Sequence, residues 1–168
     1  MTQEDIEKSL LDEFKRLKSK PNHPVTYRWI QYNYMPTLNP KQQELVEPAI
    51  ASLIEQGLVT EDNRMGGKCI VLTEAGYEKI FPLDNEVSIK RVKQLILEGF
   101  AKQRSKAGHG LDQRWLNFVL GPMLSPREVD VFEEAVQSLI EDGLIEEGTS
   151  HMNVMTLTEK GFDTIYEA

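Results

Sequence analysis

Residues 52–58 read S-L-I-E-Q-G-L and residues 138–144 read S-L-I-E-D-G-L. An apolar helix end halted by glycine thus occurs twice, and the chain around it repeats as well. Trp115 lies 86 positions after Trp29, and the same offset joins Phe14 to Phe100, Pro40 to Pro126 and Gly57 to Gly143. Beyond the glycine the offset falls to 85, as in Thr73 and Thr158 or Gly76 and Gly161. Chance does not hold one register over so many rare residues, so the chain reads as an internal duplication. Its halves, 1–84 and 85–168, are each expected to build the same small module.

Each half opens with an amphipathic pattern. Ile6, Leu10, Phe14 and Leu17 fall at helical spacing behind a Thr2–Asp5 capping pair. Val92, Ile96 and Phe100 do so behind a cap at Ser88. Both helices end in basic tails, 15–20 and 102–106, where cations suit a helix C-terminus without needing a ligand. After a loop, Val25 and Leu111 suit a short strand. Thr26 and Asp112 are good N-caps for a second helix that carries Trp29 or Trp115 as a core anchor.

Asn39-Pro40 and Ser125-Pro126 announce a third helix, since proline at the first helical position gives up only an N–H that would go unbonded. Its apolar stripe is paired throughout: Leu45, Val46, Ala49, Ile50, Leu53 and Ile54 match Val131, Phe132, Ala135, Val136, Leu139 and Ile140. Gly57 and Gly143 stop it. Pro48, where the second half has Glu134, is expected to kink the first half's helix. A hairpin follows, turning at Gly66-Gly67 or at Gly148, then a last short helix behind Thr73 or Thr158. Residues 82–87 read as the linker.

Composition narrows the function classes. The net charge is −8, with 10 basic and 13 acidic residues over 1–84 and 9 against 14 over 85–168. Such a balance argues against indiscriminate nucleic-acid affinity, which needs net attraction to phosphate. No apolar run approaches the ~20 residues of a membrane span, and Met1–Asp5 lacks the basic and apolar regions of a signal peptide. With the single cysteine Cys69, these features lead us to expect a cytoplasmic protein without a membrane partner. His23, His109 and His151 are scattered among loops, none at metal-binding helical spacing, and there is no phosphate-cradling glycine loop or nucleophile elbow. No enzyme, cofactor or metal site is expected. Cys69 reads as packing on a strand.

Helix, helix, turn, helix and hairpin, with L-I-E-x-G-L closing the third helix and L-T-E-x-G after the hairpin, resembles the winged-helix regulators of the MarR and PadR type. The resemblance covers nearly the whole chain, twice. It implies an α+β fold, mainly α, of two tandem winged-helix domains from an internal duplication. It also implies DNA binding by the third helix in the major groove and by the hairpin along the backbone. Carried over by position, Lys41, Gln42 and Gln43 would read bases, Arg127 would be their counterpart in the second half, and Arg64 and Lys68 would contact DNA from the wing. The second half departs from this pattern. Its reading helix brings Glu128, Asp130, Glu133 and Glu134, and its wing, Glu146 to His151, has no lysine or arginine.

The shared pattern S-K-x-x-H-x-x-x-x-R-W places Lys20, His23 and Arg28 against Lys106, His109 and Arg114. These residues read either as a backbone-contact patch or as groups that fix their own loop. Tyr27, Tyr32 and Tyr34 exceed what one helix face buries, and tyrosine is enriched at protein interfaces. The expectation is a non-enzymatic regulator-like protein that contacts double-stranded DNA through the first half. The alternative is an acidic adaptor that binds a protein partner, or a second copy as a homodimer, without DNA.

Overall fold

The structure is a computed structural model that describes residues 1–150 and 152–167. The chain divides into two compact units, Met1–Leu83 and Asp84–Ala168, each with its own apolar core. The protein is α+β and mainly helical, with two three-stranded antiparallel sheets. No helix among the described residues is long and apolar enough to cross a membrane.

In the first unit α1 (Gln3–Arg16) starts at the Thr2 cap, with Thr2 and Asp5 bonded reciprocally. Its Ile6, Leu10 and Phe14 are fully buried, each stabilising the fold by about 1.5–3 kcal/mol. Leu17, expected on the same stripe, is instead the C-cap and stays 41% exposed. Lys18, at φ 52°, turns the chain out of the helix, and the Ser19 N–H reaches back to the Phe14 carbonyl. Strand β1 (Pro24–Thr26) leads into a helical run made of α2 (Tyr27–Trp29), a π segment Ile30–Tyr34 and a 3₁₀ turn Met35–Thr37. Pro36 explains the widened turn, because its ring clashes with the carbonyl four residues earlier in a regular α-helix.

The third helix is two pieces, α3 (Pro40–Gln43) and α4 (Val46–Glu55). Gly57, at φ 74°, ends the second piece. Strands β2 (Val59–Arg64) and β3 (Gly67–Leu72) pair as a hairpin, and β1 joins β3 on its other edge. The turn is Met65-Gly66, both at positive φ, rather than Gly66-Gly67. Helix α5 (Glu74–Ile80) closes the unit from its Thr73 cap.

The second unit runs the same course. Helix α6 (Asn85–Lys102) is capped by Asp84, so Asn85–Val87 belong to the helix rather than to a linker and Ser88 lies inside it. Then come β4 (Gly110–Leu111), α7 (Gln113–Trp115), a π segment Leu116–Leu120 and α8 (Gly121–Met123). The third helix is again split, into α9 (Pro126–Asp130) and α10 (Phe132–Glu141). Because this unit breaks at Val131 although it has Glu134 where the first has Pro48, Pro48 is not what divides the first unit's helix. Pro48 sits in the first turn of α4, where an N–H has no intrahelical partner anyway. Strands β5 (Ile145–Ser150) and β6 (Asn153–Leu157) form the hairpin, and β4 pairs with β6. Gly148, expected at the turn, lies within β5 at the irregularity between Glu147 and Ser150. Helix α11 (Glu159–Tyr166) follows Thr158.

The T-E-x-G phrase acts identically in both units. The Thr73 hydroxyl donates to the Gly57 carbonyl and accepts from the Gly76 N–H, tying hairpin exit to helix exit. Thr158 does the same with Gly143 and Gly161. Both tryptophans are half-buried rather than central. Trp29 stacks on Tyr34 at 6.0 Å, and Trp115 lies against Gly99, which leaves room for its ring.

Candidate functional site

The expected reading helix is short, and its two glutamines are engaged. Gln42 completes a capping box with Asn39, accepting from the Asn39 N–H at 2.9 Å. The Gln43 amide donates to the Met35 and Leu38 carbonyls at 3.0 and 3.1 Å. Both glutamines therefore hold the turn before α3. Lys41 alone of the three is exposed. Arg127 is half-buried on α9, beside the Ser125–Glu128 capping box.

The hairpin cations are likewise engaged within the protein. Arg64 pairs with Asp62 at 2.7 Å, and its guanidinium also donates to the Asn22 carbonyl and side chain at 2.8 and 2.6 Å. The structure thus brings Arg64 onto the loop that carries Lys20 and His23, and clamps that loop to the hairpin. Lys68 pairs with Glu61 at 3.2 Å and lies 5.0 Å from the centre of the Tyr27 ring. The Tyr27 hydroxyl donates to the same Glu61. That hydrogen bond, joined by the Lys68 charge, holds the Glu61 carboxyl below its ordinary value. Burial, and then Glu61, push the Tyr27 phenol well up. The Arg64 hydrogen bond holds Asp62 down in the same way.

The shared S-K-x-x-H pattern forms a turn in each unit. Ser19 and Ser105 are both 2% exposed. The His23 ring shares a hydrogen bond with the Ser19 hydroxyl at 2.7 Å, while the His109 ring accepts from the Lys106 N–H at 3.1 Å. The His23 carbonyl accepts from the Leu72 N–H and the His109 carbonyl from the Leu157 N–H, so each turn extends its sheet. Lys20, Arg28, Lys106 and Arg114 point to solvent around these turns. Cys69 is buried, and no three His, Cys, Asp or Glu side chains gather to hold a metal among the described residues. His151 lies outside the described residues.

One feature of the second unit escaped the sequence reading. A groove of about 490 Å³ runs between the α7–α8 segment and α9–α10, floored by Leu116, Leu120 and Leu124. The signal was present in the repeat: Gly121 stands where the first unit has Met35, and Val129 where it has Gln43. No protein-family model, curated protein or solved structure matches this chain.

Proposed function

We propose that the chain is a non-enzymatic adaptor of two winged-helix modules, arisen by duplication, that docks protein partners rather than reading DNA. The order of elements, the three-stranded sheets and the repeated caps support the winged-helix reading of each unit. One observation carries the functional reading. Arg64 and Lys68, the cations a first-unit wing would offer to phosphate, close on the protein's own Asp62 and Glu61. The second unit's hairpin has no lysine or arginine at all. Gln42 and Gln43, the would-be base readers, hold their own turn. DNA binding would have to displace these internal partners and bring phosphate to a chain of net charge −8.

Contact of the first unit with DNA remains the second reading, favoured by Lys20, Arg28 and Lys41, which are exposed and without an ion pair among the described residues. Fluorescence anisotropy of a labelled mixed-sequence duplex, titrated with the full chain across a salt series, separates the two. The adaptor reading expects no binding even at low salt. Binding that weakens log-linearly with salt would overturn it, and a shallower slope after Lys20→Ala, Arg28→Ala and Lys41→Ala would place the contact on those cations.

A further inference from the structure

One unit has a filled turn where the other has a groove. In the first unit Met35 packs against the core and the Gln43 amide spans to two carbonyls of the preceding turn. In the second, Gly121 brings no side chain and Val129 no amide, so the same place opens into the groove floored by Leu116, Leu120 and Leu124. Val129, 53% exposed, forms part of its wall. Its rim carries the exposed carboxylates Asp130 and Glu133, and no lysine or arginine lines it.

An aliphatic floor with an anionic edge selects a ligand that carries aliphatic side chains on one face and cations beside them. An amphipathic helix meets both demands at once, through anchors at i, i+3, i+4 and i+7. A second copy does not suit this rim, because a chain of net charge −8 brings more carboxylates than cations to it. We propose that the groove is a docking site for a basic amphipathic helix of a partner protein. This inference rests on the adaptor reading and names the chemistry of its partner.

The test uses the full chain and a labelled synthetic peptide of about 16 residues, long enough to hold a helix on binding, with leucines at the anchor spacing flanked by lysines. A matched peptide replaces every lysine with glutamate. The lysine peptide is expected to bind and the glutamate peptide to fail. Asp130→Lys with Glu133→Lys should weaken the lysine peptide about tenfold or more, since like charges then face each other across the rim. The same charge change placed on the first unit, Glu55→Lys with Glu78→Lys, should leave it nearly unaltered. Val129→Gln, which copies Gln43 at an exposed position, should also weaken binding without unfolding the chain.

Equal binding by the groove and control variants, or no binding of the lysine peptide, overturns the proposal. So does a homodimer that dissociates only in the groove variant, because a second copy would then be the occupant. Duplex DNA titrated in the same assay keeps the two readings apart. If the peptide fails and DNA is also unbound, only the groove assignment falls; salt-sensitive DNA binding removes the adaptor reading itself.

Discussion

Two kinds of residue here work against their surroundings in opposite ways. The Tyr34 hydroxyl is buried with no hydrogen-bond partner among the described residues, in a side chain 8% exposed. A buried hydroxyl left unpaired costs more than its removal, so Tyr34→Phe is expected to raise stability by about 1 kcal/mol. A higher urea midpoint at unchanged slope would show it. Gly76 is the reverse case. A Cβ there would stand 2.1 Å from the Leu58 carbonyl oxygen, and at Gly161 it would stand equally close to that of Leu144. Those are backbone atoms that cannot swing aside. Gly76→Ala is therefore expected to lower stability by about 1–3 kcal/mol, the range for forced overpacking. The threonine before each of these glycines was readable as a cap from the repeat. The need for glycine three residues later was not, because it depends on a carbonyl 18 positions upstream in one unit and 17 in the other.

Helices join by polar bridges whose polarity is inverted between the units. The Glu7 carboxylate accepts from Gln56 at 3.1 Å, whereas the equivalent Lys93 donates to Ser138 and Asp142 at 2.9 and 2.8 Å. Burial pushes the Glu7 carboxyl up, but hydrogen bonds from Ser52, Gln3 and Gln56 outweigh it and hold it below its ordinary value. A folded carboxyl that titrates below its unfolded value contributes stability at neutral pH and loses it as pH falls through the depressed pKa. The Glu7→Gln variant should thus be less stable than the parent at pH 7, by at most about 1 kcal/mol at so solvated a site. That difference should vanish in acid below the ordinary carboxylate range. Denaturant midpoints of both proteins at the two pH values check this. Pro48 supplies a second expectation. Interior prolines weaken a helix by about 3 kcal/mol, yet Pro48→Ala should change stability by under about 1 kcal/mol, and downward, through the freer unfolded chain. A rise of several kcal/mol in urea denaturation would mean that the proline does interrupt the helix.

Each unit carries a complete apolar core, built on Ile6, Leu10, Phe14 and Leu53 in the first and on Val92, Ile96, Phe100 and Leu139 in the second. Fragments 1–83 and 84–168 are therefore expected to fold when expressed alone, with cooperative thermal transitions followed by circular dichroism. Chains of this size are marginal, so lower midpoints than in the full protein are compatible with the expectation. A fragment without a cooperative transition would show that its core is insufficient by itself.

The sequence by itself determined the order of the main helices and strands, because caps, prolines and apolar spacing act over three or four residues and the repeat printed each signal twice. It made legible the Asn39 and Ser125 caps, the short strands at Val25 and Leu111, and the glycine stops. Tertiary structure alone decided the fate of the side chains that looked free. Arg64 meets Asn22 across 42 positions, and Tyr27 meets Glu61 across 34. Those distances closed only when β1 paired with β3 and carried the loop onto the hairpin. The groove follows the same logic, since a missing methionine and a missing glutamine make one cavity only where two helical segments pack side by side. Local chemistry sets what the backbone does; which charges are answered and which surfaces stay open depends on contacts made across the chain.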